Sequence, residues 1–254
     1  MELNYKVFGE GKPLIILHGL FGSADNWLTI AKDLAEHNYQ IFLVDQRNHG
    51  DSPHSDEFNY TAMAADLNEF IETHQLERPL ILGHSMGGKT VMKFAVNYAD
   101  KWDKIIVVDI GPKAYPVHHD VILKGLKSID LPNIKSRGDA DKQLSEYVKD
   151  MGTRQFLLKN LARDKQGGYK WKINLPVIDK NIENVGEGLE EPLAIEREVL
   201  FIRGEKSDYI LDQDIILINQ IFPNSEVKTI KGAGHWVHAE KPNEVEELML
   251  EFFR

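Results

Sequence analysis

The sequence predicts an α/β protein built on a mostly parallel sheet, and three observations carry that prediction. Short apolar runs at residues 13–17, 41–44, 79–82, 105–108 and 199–202 are continuous rather than alternating, as strands covered on both faces require. Segments with helical spacing stand between them at about 27–37, 61–74 and 86–98, and another closes the chain at 242–253. Strand and helix in repeated alternation build parallel sheets, because a parallel neighbour is reached only by a crossover.

Taken in order, residues 3–8 form a weaker strand candidate, followed by the first buried run and the loop His18-Gly19-Leu20-Phe21-Gly22. The second run leads into Asp45-Gln46-Arg47-Asn48-His49-Gly50-Asp51-Ser52, where an Asp45–Arg47 ion pair is expected to fix the loop. The third and fourth runs end at Leu82 and Val108, with Asp109 next. There the rhythm breaks. Residues 111–198 carry helical patterns and loops, punctuated by Pro112, Pro116, Pro132, Pro176 and Gly167-Gly168, and no clear sheet strand. The expectation is a helical cap over the carboxyl edge of the sheet, with residues 1–110 and 199–254 as the core; a second independent domain competes with it. The strand rhythm returns at Val199, and 227–230 is a further strand candidate.

Composition narrows the class. The 254 residues include 40 acidic and 30 basic side chains, a formal net charge of −10. That balance argues against nucleic acid or an anionic membrane as main partner and leaves small molecules. Hydrophobic residues at 42% and charged residues at 28% exclude wholesale disorder. The absence of cysteine removes disulfides, thiolate metal sites and a cysteine nucleophile together. The opening MELNYKVFGEG lacks the basic start and apolar core of a secretory signal. No apolar run approaches the ~20 residues of a membrane span. A soluble, cytoplasmic protein is expected, of unreadable oligomeric state.

Gly83-His84-Ser85-Met86-Gly87 follows a strand and opens a helix, the context in which G-x-S-x-G holds a nucleophilic serine on a sharp turn. Flanking glycines are needed because a Cβ would strike the turned backbone, and the helix N-terminus favours developing negative charge. The same residues also fit a phosphate-binding pattern, Gly83-x-x-x-x-Gly88-Lys89-Thr90, with Asp109 after an apolar strand. Nucleotide hydrolysis does not need His18-Gly19 after the first buried strand, or Gly232-Ala233-Gly234-His235 before the last helix. A serine hydrolase needs both.

Ser85 requires a base. His235 fits best, since its glycine-rich loop lies at the carboxyl edge of the sheet, where Ser85 also lies. The loop after the first buried strand can turn a backbone N–H toward a substrate carbonyl: Leu20 is the first choice and Phe21 the second, with Met86 N–H as the other donor of an oxyanion hole. For the acid that orients His235, two residues compete. Asp109 ends a fully buried strand, and its position there calls for a purpose. Asp208 stands among charged residues and is readily solvated. Asp109 is preferred; Asp208 stays open. Phe21 and Trp236 adjoin these positions and suit an acyl-chain wall, whereas Tyr115, Phe156 and Trp171 fit the cap's own core equally well.

Together HGLFG, DQRNHGDS, GHSMGG and GAGHW, in this order and spacing, resemble the α/β-hydrolase superfamily, and across essentially the whole chain they look most like its YbfF-type esterases. The resemblance implies an eight-stranded, mostly parallel sheet with helices on both faces and a lid inserted after the sixth strand. It also implies hydrolysis of acyl esters or thioesters, as small-molecule substrates, without a cofactor. The wider superfamily takes its acid from G-x-x-D after the seventh strand; here Gly204-Glu205-Lys206-Ser207 has serine in that place. The YbfF-like subgroup takes its acid from the end of the sixth strand, which favours Asp109 and makes Ser207 a supporting hydrogen-bond partner. Ser85 argues against dehalogenases and epoxide hydrolases of this fold, which use Asp as nucleophile. Carbon–carbon hydrolases, cofactorless lyases and small-molecule signalling proteins keep the same three residues and remain alternatives.

Overall fold

Each continuous apolar run becomes a strand, and the alternation of its side chains divides the interior into two layers. The computed structural model describes residues 1–189 and 194–254. Strands β1 (Tyr5–Phe8), β2 (Lys12–Leu17), β3 (Tyr39–Val44), β4 (Leu80–His84) and β5 (Ile105–Val108) precede a short hairpin of β6 (Leu161–Arg163) and β7 (Tyr169–Trp171). Strands β8 (Val199–Gly204) and β9 (Ser225–Ile230) follow it. Among the described residues the main sheet has seven strands in the order β1-β3-β2-β4-β5-β8-β9. Strand β1 pairs antiparallel to β3, and every other pairing in this sheet is parallel. Seven strands correspond to the five continuous runs plus the two weaker candidates. The eighth is implied by the resemblance alone, and no apolar run in this sequence corresponds to it. The insertion therefore follows the fifth strand of this sheet rather than a sixth.

Helices α1 (Leu28–Leu34), α2 (Tyr60–Thr73) and α3 (Met86–Asn97) precede the insertion. Within it lie α4 (Asp120–Ser128), α5 (Arg137–Leu144), α6 (Met151–Leu158) and α7 (Leu175–Lys180), and after it come α8 (Ile215–Ile221), α9 (Val237–Glu240) and α10 (Pro242–Phe253). Successive strand residues face opposite ways. Ile15, Leu17, Ile81 and Val107 accordingly meet Leu67 and Phe70 of α2 and Val91 and Phe94 of α3. Leu14, Ile16, Leu82 and Ile106 meet Ile30 and Leu34 of α1 and Val245 and Met249 of α10. Each such fully buried side chain contributes roughly 1.5–3 kcal/mol.

Residues 111–198 are not wholly helical. The β6–β7 hairpin stands apart from the main sheet, with Gly167 and Gly168 in its turn at φ of 100° and 78°. Its strands have three residues each and are only partly buried, too short to leave a periodic signature. Leu123, Leu126, Leu144, Leu157 and Ile178 of the insertion share one core with Leu20, Phe21, Tyr60 and Met86. The insertion thus packs on the loop after β2 and the start of α3, not on itself alone. Residues 190–193, within the expected cap range, lie outside the described residues. Among the described residues no helix is long and apolar enough to cross a membrane.

The loop after β3 departs from expectation. Arg47 does not pair with Asp45; its Nε lies 2.6 Å and its Nη2 2.9 Å from the two carboxylate oxygens of buried Asp66 on α2. Asp45 instead accepts from the backbone N–H groups of Ala24 (2.7 Å) and Asp51 (3.0 Å). The carboxylate of Asp45 is filled by these backbone donors and by the Asn4 side-chain amide at 2.8 Å, and the planar guanidinium finds a bidentate partner that only tertiary packing brings near.

Candidate active site

The turn between β4 and α3 forces Ser85 into φ 53°, ψ −118°, a positive-φ conformation that non-glycine residues adopt at a cost of order 1–3 kcal/mol. Close packing holds it there. A Cβ on Gly83 would stand 2.2 Å from the Gly87 carbonyl oxygen, and one on Gly87 would stand 2.5 Å from that of Leu17. The flanking glycines are therefore required by backbone contact, and the strain falls on the serine between them.

The hydroxyl of Ser85 lies 3.0 Å from His235 Nε2, and His235 Nδ1 lies 2.8 Å from Asp109 Oδ2. With a carboxylate as acceptor, Nδ1 carries the proton, leaving Nε2 free to accept from Ser85. Asp109 is wholly buried at φ 51°. Its Oδ1 accepts from Gly204 N–H at 2.9 Å, and Oδ2 also accepts from the Ser207 hydroxyl. These bonds replace the water that a buried carboxylate has lost. Asp208 is exposed, and the carboxylate against His235 is that of Asp109. Tyr209 stacks on the His235 ring at 4.1 Å between centroids and 22°. Sequence reasoning missed this residue; its only signal was adjacency to Asp208.

Around the loop after β2, one candidate donor is spent. Phe21 N–H donates to His49 Nε2 at 3.2 Å, whereas the N–H groups of Leu20 and Met86 have no acceptor among the described residues. His18 braces the same loop, accepting Gln46 N–H at Nε2 (3.0 Å) and donating from Nδ1 to Gly19 O (2.8 Å). Lys89, the lysine of the phosphate-binding pattern, is buried, and its amine donates to the carbonyls of Lys113 and Glu187 (2.8 Å to the latter). Burial and then neighbouring Lys113 push that amine down to about 7. It ties α3 to both ends of the insertion, and Asp109 is engaged by His235. Among the described residues no group of three or more His, Asp or Glu side chains converges as a metal site requires.

Histidines are concentrated behind the site. His84 Nε2 donates to the His235 carbonyl at 2.9 Å. His238 lies 4.6 Å from the His84 ring and stacks on Trp27 at 4.3 Å, with its Nδ1 buried and unpartnered among the described residues. Burial pushes His49 and His238 down to about 3 and holds His18 and His84 below the usual imidazole range. The unfolded chain binds protons below about pH 6.5 that the folded one refuses, so this stability is full above that pH and is lost as pH falls toward 3. Each such histidine removes up to about 1.4 kcal/mol per pH unit from a total of roughly 5–15 kcal/mol. Circular dichroism is expected to record cooperative acid unfolding between about pH 6 and 4, with the midpoint moved to lower pH in His238→Phe. A native spectrum at pH 3 would contradict this.

Two cavities meet at Ser85. The larger, about 480 Å³, is lined by Leu20, Ser85 and Met86 together with Tyr60, Ile110, Tyr115 and Val185. The smaller, about 200 Å³, holds His235 with Phe21, Ile122, Phe156 and Trp236. Leu20, Ser85, His119 and Tyr209 belong to both. Both aromatic residues expected beside the site, Phe21 and Trp236, stand in the smaller one. Tyr60 and His119 had no distinguishing signal in sequence, since the start of α2 and the residue that precedes α4 bring them in from a distance.

The chain matches the family described as "alpha/beta hydrolase fold" over residues 12–128. It is 37% identical to the protein named Esterase YbfF of Escherichia coli over 93% of this chain and 91% of that one. It is 36% identical to the sn-1-specific diacylglycerol lipase ABHD11 of Danio rerio, over 95% of this chain and 79% of that one. A solved structure of a marine microorganism esterase superposes with a TM-score of 0.96 at 48% identity, covering 99% of each chain.

Proposed function

The chain belongs to the α/β-hydrolase family, and on that premise we propose that it is a serine esterase hydrolysing carboxylic esters through Ser85, His235 and Asp109. One observation carries the reading: an unbroken hydrogen-bond chain from a strained serine hydroxyl through an imidazole to a buried carboxylate, at 3.0 and 2.8 Å. The names of its relatives, esterase and lipase, support an acyl ester as substrate.

His235 Nε2 takes the Ser85 proton as Oγ bonds to the carbonyl carbon. The carbonyl oxygen, now anionic, accepts from the N–H groups of Leu20 and Met86, and losing one such donor typically costs ~10²–10³ in rate. Asp109 holds the tautomer and stabilises the imidazolium; Ser207 and Gly204 N–H hold Asp109. The bond from carbon to the leaving oxygen breaks as Nε2 gives that oxygen the proton. Water then loses a proton to Nε2 and bonds to the acyl carbon, and Ser85 Oγ departs with the proton returned to it. No cofactor takes part. Residues 111–198 act as the lid of this site, with Leu20, Phe21 and Met86 sharing its core, and the enzyme works in the cytoplasm.

Nitrophenyl esters test the reading. The expected result is many turnovers per enzyme, preceded under deacylation-limited conditions by a burst of one nitrophenolate equivalent. A small-molecule signalling protein on this fold would stall after one equivalent, and that outcome would overturn the esterase assignment.

A further inference from the structure

The two cavities at Ser85 are unequal, and only the smaller is lined by the base. Resting on the serine-esterase reading above, we propose that the larger cavity receives the acyl chain and the smaller one the alcohol, so that the preferred substrates are medium- to long-chain acyl esters of small alcohols.

The handedness follows from proton transfer. The leaving oxygen must come within hydrogen-bond reach of His235 Nε2 to receive its proton. His235 lines the smaller cavity and is absent from the larger one. An ester bound with its carbonyl oxygen at the N–H groups of Leu20 and Met86, and its leaving oxygen at His235, therefore sends its alcohol into the smaller cavity and its acyl chain into the larger. Phe21 and Trp236 then bound the alcohol, not the acyl chain that sequence reasoning assigned to them.

Size and polarity agree with this. At about 30 Å³ per water-sized group, the larger cavity of about 480 Å³ admits on the order of 16 such groups and the smaller, about 200 Å³, on the order of 7. Two of the three tyrosines of the larger cavity, Tyr60 and Tyr115, have spent their hydroxyls on backbone. Tyr60 donates to Val185 O at 2.7 Å; Tyr115 accepts from Gly111 N–H at 2.7 Å and donates to Tyr209 O at 2.6 Å. Their rings remain as apolar wall, which suits an alkyl chain. Lys113, also in its lining, is paired with Asp214 at 2.5 Å. The smaller cavity is closed by Phe156 of α6 against Trp236, with ring centroids 4.2 Å apart.

Two ester series separate the cavities. Along nitrophenyl acetate to decanoate, kcat/KM is expected to rise to an optimum at octanoate or beyond, by up to about 3,000-fold if all six added methylenes are buried at about 0.8 kcal/mol each. Among octanoate esters of methanol, butanol and 2-naphthol, followed by proton release, the naphthyl ester is expected to react about tenfold more slowly than its chemical reactivity alone would dictate. Phe156→Ala, or the milder Phe156→Leu, should recover the naphthyl ester and leave the acyl optimum in place. Val117 also lines the larger cavity, and Val117→Phe should shorten the acyl optimum and leave the alcohol preference in place. An acetyl optimum combined with preference for the bulkiest alcohol would reverse the assignment and overturn the proposal. The serine-esterase reading has its own control: if Ser85→Ala retains turnover, both fall; if Ser85→Ala is inactive and the two profiles are reversed, only the cavity assignment falls.

Discussion

Replacing Ser85 with alanine is expected to lower kcat for a nitrophenyl ester by about 10⁶, the scale on which loss of a serine nucleophile is felt when its base and acid remain. The cause is chemical, not structural. The backbone strain at φ 53° is borne equally by Ser and Ala, because both carry a Cβ. Helix α3 starts at Met86 and makes no side-chain cap with Ser85, so the variant should melt within a few degrees of the parent. Leu20 and Met86 N–H groups stay in place and sustain the ~10³–10⁴ advantage over water that an oxyanion hole and binding leave behind. Mass spectrometry after quenching should find an acyl adduct on the parent and none on the variant. Turnover within tenfold of the parent would remove Ser85 from the mechanism.

Asp109→Asn should lower kcat by about 10⁴ while Asp208→Asn leaves it within about twofold. An amide in place of the carboxylate can donate to His235 Nδ1, which favours the tautomer with its proton on Nε2. That nitrogen then points a proton at Ser85 and cannot take one. The amide also lacks the charge that stabilises the imidazolium in a buried, low-dielectric position. The surroundings are built for an anion, since Gly204 N–H and Ser207 Oγ both donate into the same carboxylate. Asp208 is exposed, and water replaces whatever its charge provides. The two variants, compared in kcat at saturating ester, decide between the acids that the sequence left in competition. A large loss in Asp208→Asn with a small one in Asp109→Asn would move the acid to the loop after β8.

Much of the molecule was legible in one dimension. Continuous apolar runs marked the strands because burial on both faces leaves no room for polar alternation. The glycines around Ser85 marked the turn because the backbone of Gly87 and the carbonyl of Leu17 approach too closely for a Cβ. His18, Ser85, Asp109 and His235 each stand at or just past a strand's carboxyl end, so a local reading was enough to bring them to one edge of the sheet. These signals act over a few residues, and sequence contains them whole.

What the tertiary structure decided depends on segments far apart in the chain. The β6–β7 hairpin was too short for any period. Arg47 chose Asp66 over Asp45 because α2 brings a buried carboxylate to its guanidinium, while backbone donors had already claimed the nearer acid. Of the two loop N–H groups weighed for the oxyanion, Phe21 is occupied by His49 from another loop, and Leu20 has no acceptor among the described residues. The loop after β8 brings Tyr209 onto His235, and the packing of the insertion against the sheet edge divides the space above Ser85 into two unequal cavities. The sequence by itself determined where chemistry can occur, since strand ends, tight turns and their side chains are set by local sterics and burial. Which groups meet there, and how much room a substrate has on either side, was decided by long-range packing, in which each side chain's partner is chosen by the shape of the whole fold.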